Sequence, residues 1–161
     1  MEPVSTTTIQ PSQEDRMEIF TIGFTKLSAS QFFNVLDEAG ITKVVDIRLH
    51  NTSQLAGFTK RDDLAFFLDR VSGISYAHEP LLAPTAELLE GFKDGSLSWS
   101  EFETALRSVL RERNVEGALD RSRFEGRVAL LCSEPTGAHC HRTIVADYLA
   151  SAWRCPPVTH L

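Results

Sequence analysis

Eleven residues, Cys132 to Arg142, hold the densest chemistry in the chain: two thiols, two imidazoles, a carboxylate and a guanidinium. They follow a strongly apolar run, Arg127-Val128-Ala129-Leu130-Leu131-Cys132, and precede a helix expected over about His141 to Trp153. A helix N-terminus presents free N–H groups and the positive end of its dipole, which attracts anions and favours a thiolate. Cys132 at the strand end or Cys140 at the helix start is therefore a candidate nucleophile or redox centre. Arg142 is suited to holding an anion in bidentate fashion, and Glu134 or His141 to moving protons. The plainer alternative is that Cys132 continues the apolar strand as a buried, inert side chain and that Cys140 packs or caps the helix.

Asp46-Ile47-Arg48 is a second candidate. An acid and an arginine two positions apart in a strand point to the same face, so Asp46 can orient Arg48 toward an anionic ligand. The same two residues would equally serve as an ion pair that pins the following loop. That loop, Arg48 to Thr59, is polar and supplies donors at His50, Asn51, Ser53 and Gln54. Loops of this length in a small domain are often functional. Tyr76, His78 and Glu79 follow a further short strand, with Tyr76 counted among the ligand-binding candidates and equally suited to being a half-buried aromatic. Zinc is disfavoured, because adjacent His139, Cys140 and His141 do not converge easily on a tetrahedron and no second ligand pair occurs elsewhere. No metal and no cofactor is expected.

Spacing removes several familiar chemistries. A cysteine-phosphatase loop would place an arginine where Ala138 stands. The chain has no Gly-x-Gly-x-x-Gly, no P-loop and no Gly-x-Ser-x-Gly elbow. The arginines between 107 and 127 alternate with acids and read as a solvated helical face.

The elements that must position these groups follow from pattern. Residues 1–16 are rich in Thr, Ser, Pro and Gln and read as a flexible tail, leaving 17–161 as one domain. Glu18 to Ile22, Thr42 to Ile47, Gly73 to Ala77, Arg127 to Cys132 and Pro157 to His160 read as strands. Between them lie helical patterns. Ser28 with Gln31 and Ser98 with Glu101 have capping-box spacing, and Leu27 with Phe32 has that of a hydrophobic staple. Further helices are expected over about Lys60 to Val71, Pro84 to Phe92 and Glu116 to Phe124. Alternating strands and helices predict an α/β three-layer sandwich with a mostly parallel, about five-stranded sheet and helices on both faces. Ligands in such sheets bind beyond the carboxyl ends of the strands, where all of the groups above collect.

Composition narrows the class. The 161 residues are 42% hydrophobic and 24% charged, ordinary for a globular domain, and no run is long enough for a membrane span. The N-terminal residues lack a basic and apolar leader, so a cytoplasmic location and no membrane partner are expected. A formal net charge of -6 argues against nonspecific nucleic-acid binding. Three cysteines make no disulfide framework and are expected as thiols.

Taken in order, Thr21-Ile22-Gly23-Phe24, Val45-Asp46-Ile47-Arg48, Leu131-Cys132-Ser133-Glu134 and Cys140-His141-Arg142 resemble the domain-of-unknown-function family 488. Ser53 to Phe58 and Leu82-Ala83-Pro84-Thr85 look like further segments of one branch of it. The resemblance spans about Ile19 to Leu161 and implies a compact α/β domain of prokaryotic type, without an established activity. Phe24 stands where the family often carries His or Tyr. A looser similarity in order, an Asp-x-Arg strand end and later a buried strand ending in Cys, is to rhodanese-like sulfurtransferases, an analogy of architecture alone.

These readings lead to an expected enzyme or enzyme-like binder. Its pocket for an anionic small molecule, phosphate or nucleotide-like, would be lined by Asp46, Arg48, Ser53, Gln54, Tyr76, Cys132, Glu134, Cys140, His141 and Arg142. The alternatives are a non-catalytic binding or interaction module whose polar network is structural, and rhodanese-like thiol or sulfur transfer.

Overall fold

The computed structural model describes residues 16–52, 57–133 and 139–161. Two apolar layers sandwich a sheet. Strands β1 (Glu18–Gly23), β2 (Lys43–Asp46), β3 (Ser75–His78), β4 (Arg127–Cys132) and β5 (Thr159–His160) pair in the order β3-β2-β4-β1-β5, every pairing parallel. β4 and β1 are central, and both are buried along all but their first residue, as strands covered on both faces must be. The expected fold class is therefore observed.

Helices α1 (Ala29–Glu38) and α2 (Arg61–Phe67) cover one face, closing Phe32, Phe33, Leu36 and Leu64 over Phe20, Ile22, Val44 and Leu131. On the other face α4 (Trp99–Glu112), the short α5 (Val115–Ala118) and α6 (His141–Trp153) close Phe102, Leu106, Val115, Val145 and Leu149 over Ile19, Val45, Val128 and Leu130. α3 (Ala86–Lys93) joins that side through Leu88 and Phe92. Connections that step toward β3 thus use one face and those that step back use the other, as right-handed crossovers require.

Local chemistry starts the helices where the sequence placed them. Both capping boxes form: Gln31 N donates to Ser28 Oγ at 3.2 Å while Ser28 N donates to Gln31 Oε1, and Ser98 with Glu101 repeats the exchange. Three boundaries differ from expectation. α3 begins at Ala86 because the Thr85 hydroxyl accepts from Leu88 N, whereas Pro80–Leu82 forms a separate 3-10 turn. The region 116–124 splits, because Leu119 turns extended and Asp120 then caps a 3-10 turn at Ser122. α2 ends in a π turn, Leu68–Ser72, closed by Gly73 at a φ of 64°. No helix among the described residues is long and apolar enough to cross a membrane. The tail expected over 1–16 lies outside the described residues except for Arg16.

Topology places one strand end in a special position. The chain leaves β4 toward one face, while it leaves both neighbours, β1 and β2, toward the other. A crevice opens where adjacent strands send their loops to opposite faces. Cys132 stands at that point, in register with Gly23 of β1, and Ile47 N just beyond β2 donates to Leu131 O. The α4 face anchors this arrangement. Replacing the fully buried Leu106 by Ala is expected to cost about 2–5 kcal/mol, measured by urea denaturation, with the native fold retained by circular dichroism.

Candidate functional site at the strand carboxyl ends

The site is built from two buried guanidinium groups and the cleft above them. Arg48 folds back on Asp46 in a bidentate pair, with Nε to Oδ1 at 2.9 Å and Nη2 to Oδ2 at 2.8 Å. Its own backbone N–H also donates to Asp46 Oδ1, and Nη2 reaches Thr59 O at 2.7 Å. Tyr76 adds a short hydrogen bond of 2.6 Å from its hydroxyl to Asp46 Oδ2, and the Phe24 ring lies against the guanidinium at 5.2 Å. Burial, then the bond to the Asp46 carboxylate, holds the Tyr76 phenol well above its usual range, so it stays a donor. The loop after β2 is thereby tied at both ends, with Arg61 N donating to Asn51 O and His78 Nε2 to Arg48 O.

Arg142, in the first turn of α6, is 0% exposed. Its Nη1 donates to Cys132 Sγ at 3.1 Å, and the Cys140 sulfur lies 2.8 Å from the same atom. Cys132 and Cys140 are not joined by a disulfide, and their exposures are 0% and 1%. The hydrogen bond to Cys132 and burial together hold the Cys140 thiol far above the usual range, against a smaller opposing pull from Arg142, so Cys140 keeps its proton. The chain enters α6 through His139 in the left-handed region, φ 51°, with its ring 5.0 Å from that of Trp99.

His141 is the hinge between the two groups. Its Nε2 lies 3.2 Å from Ile47 O. A carbonyl only accepts, so the proton sits on Nε2 and the lone pair on Nδ1. Burial, the largest influence, lowers its pKa to about 4, so the ring is neutral at pH 7.

Two adjoining cavities open above these residues. One of about 150 Å³ is lined by Arg48, Leu49, His50, Leu89, Lys93, Ser133 and His141. The other, about 140 Å³, is lined by Leu89, Phe92, Lys93, Phe102, His139, Cys140 and His141. They share Leu89, Lys93 and His141, and no carboxylate is among the described residues of either wall. A larger, shallower cavity of about 530 Å³ lies at the opposite edge of the sheet, beside Met17, among Arg16, Arg121, Trp153, Arg154 and Cys155. It contains none of the groups that sequence reasoning singled out.

Of the expected site residues, Arg48, Cys140 and His141 line the cleft, while the buried Asp46, Cys132 and Arg142 and the half-buried Tyr76 lie outside its walls. Glu134, Ser53 and Gln54 lie outside the described residues. His160 is taken up by Thr21, whose Oγ1 lies 2.7 Å from its Nδ1. Lys93 and Leu89 were missed: α3 arrives from a distant part of the chain, and only their helical spacing marks a shared face. The burial of Arg142 did carry a signal, since Arg142, Val145, Ala146, Leu149 and Trp153 follow one buried helical stripe. Among the described residues no group of three or more His, Cys, Asp or Glu side chains stands close enough to hold a metal ion.

Fold and site together define a parallel α/β protein with a thiol pair and a cation-lined cleft at its strand carboxyl ends. A family model, domain of unknown function DUF488, matches residues 28–149, and the chain belongs to that family. No curated protein and no solved structure matches the chain.

The neutral, half-buried His141 makes stability depend on pH. Its folded pKa of about 4 lies below the ordinary value of 6.5, so the unfolded chain binds more protons between these limits and stability falls as pH falls through the window. Between pH 7.5 and 5.5 the loss from this residue is expected to be roughly 1 kcal/mol. Urea denaturation at the two pH values checks it: His141→Gln, which keeps a donor for Ile47 O, should show a drop smaller by that amount.

Proposed function

We propose that this protein is an enzyme or enzyme-like binder that takes a small anionic ligand, of phosphate or nucleotide type, into the paired cleft. The observation that carries this reading is the character of the wall. Arg48, His50, Lys93, His139 and His141 line it, and no acid does so among the described residues. A pocket with donors of one sign and apolar flanks from Leu89, Phe92 and Phe102 suits an anionic group attached to a flat or apolar body.

The division of labour differs from a simple pair of arginine clamps. Arg48 spends Nε and Nη2 on Asp46 and Thr59 O, so it contributes a fixed positive field more than a movable fork. Lys93 and His50, both exposed, are the groups able to reach a ligand. The amide groups at the start of α6 add to the field, since its first turn contains no acid and Cys140 makes no side-chain cap. His141, with its lone pair on Nδ1, offers a neutral acceptor for a proton from the ligand.

A second reading, a non-catalytic module, is favoured by one specific observation. Asp46, Arg48 and Tyr76 satisfy one another inside the protein, as a structural network would. Both readings share the ligand site and differ only in whether the ligand is turned over.

Titration calorimetry with inorganic phosphate, pyrophosphate and adenosine monophosphate at low salt tests the site. At least one of these anions should bind, more weakly as salt is raised, and Lys93→Glu should weaken it by about tenfold or more while leaving the fold intact. Absence of binding by all three, or binding indifferent to Lys93→Glu, would overturn the reading.

A further inference from the structure

The cation-lined wall leaves the thiols beneath it without a task. Two cysteines eight positions apart in sequence meet with their sulfurs 2.8 Å apart, fully shielded from bulk water. The arrangement is directional. Cys132 Sγ accepts from Arg142 Nη1 at 3.1 Å, and the Cys140 thiol stands within hydrogen-bond reach of the same sulfur. A thiol flanked by a guanidinium and a second thiol is the one whose negative charge is best held, and its neighbour is placed to resolve whatever forms on it.

We propose that Cys132 and Cys140 form a dithiol redox centre that reduces a small hydroperoxide and closes to an intramolecular disulfide. Cys132, after its proton has left to solvent, attacks one oxygen of the hydroperoxide. The O–O bond breaks, the departing oxygen takes up a proton as water or alcohol, and Cys132 becomes a sulfenic acid. The Cys140 sulfur then attacks Cys132 Sγ and the S–O bond breaks. The hydroxide leaves as water with the proton that Cys140 carried. Two thiols are oxidised by two electrons in total, and the peroxide is reduced. Forming the S–S bond shortens the present sulfur separation by less than about 1 Å, so the closure asks for a side-chain adjustment and not a rearrangement of β4 against α6.

The oxidant class follows from access. Cys140 forms part of the wall of the 140 Å³ cavity, and Cys132 lies directly behind it. Cys132 itself is fully buried, so only an oxidant little larger than water could pass Cys140 to reach its sulfur, and a bulky disulfide could not. Cys155 provides a contrast in the same chain. It is half-buried with no second thiol beside it, and burial raises its pKa, opposed by Arg121. Arg142 adds a second role in this scheme: it holds charge on Cys132 before oxidation and positions that sulfur toward Cys140.

This inference stands independently of anion binding, because it needs no ligand in the cleft. The test treats the full chain with a small excess of hydrogen peroxide, alkylates it under denaturing, non-reducing conditions, and analyses the tryptic peptide Val128–Arg142, which contains both cysteines. That peptide should lose two hydrogens and resist alkylation about tenfold or more faster than Cys155 is oxidised, and dithiothreitol should restore it. In Cys140→Ser the resolving thiol is gone, so dimedone should trap a sulfenic acid at Cys132, while Cys132→Ser should yield no adduct at Cys140. The proposal is overturned if both thiols remain alkylatable in the wild-type chain after Cys155 has been oxidised, an outcome that does not depend on the variants folding. It is equally overturned if Cys132 passes to sulfinic acid without closing the disulfide.

Discussion

A carboxylate and a guanidinium taken out of water at the end of β2 constrain everything around them. Asp46 and Arg48 are both buried. Desolvating such a pair is expensive, and mutual attraction offsets the cost only when the remaining donors and acceptors are also satisfied. Here they are: the carboxylate accepts from the Arg48 side chain, the Arg48 backbone and the Tyr76 hydroxyl, and the guanidinium also donates to Thr59 O. The network therefore welds β2, β3 and the far end of the loop after β2 into one unit. Removing one partner would leave the other charge buried and alone, a change of about 3–5 kcal/mol by analogy with other buried pairs.

The cleft inherits its shape from that unit. Ile47, between the paired residues, offers its carbonyl to His141, which fixes the start of α6 against the end of β2. α6 in turn delivers Arg142 under the sheet edge to Cys132. One guanidinium, that of Arg48, thus stands in the wall neutralised by a carboxylate, and the other, that of Arg142, lies behind it against a sulfur. The positive field toward the opening comes from their positions together with the exposed Lys93 and His50. Such fields are strongest in a concave site with low-dielectric walls, and Leu89, Phe92 and Phe102 supply those walls.

Much of the fold was legible because local signals agreed with one another. The capping boxes at Ser28 and Ser98 start α1 and α4 as their spacing implied, and the unbroken apolar run Val128 to Cys132 is the central strand that such a run demands. The pairing of Asp46 with Arg48 was legible as one of two options, and the Tyr76 hydroxyl and Thr59 carbonyl that engage it come from residues too distant for any spacing rule. The same holds for Lys93, which reaches the cleft only because α3 and α6 share a face of the sheet. The proximity of Cys132 to Cys140 depends on how the end of β4 meets the start of α6, a property of tertiary packing that local sequence does not encode.

The central claim is that the strand carboxyl ends form an anion site, and mapping amide chemical shifts during a pyrophosphate titration tests it most directly. The account predicts shifts concentrated at Arg48 to His50, Leu89 to Lys93, Ser133 and His141, all saturating with one affinity. Shifts confined to Arg16, Arg121 and Arg154 at the opposite edge of the sheet, or no saturable shifts at all, would contradict it.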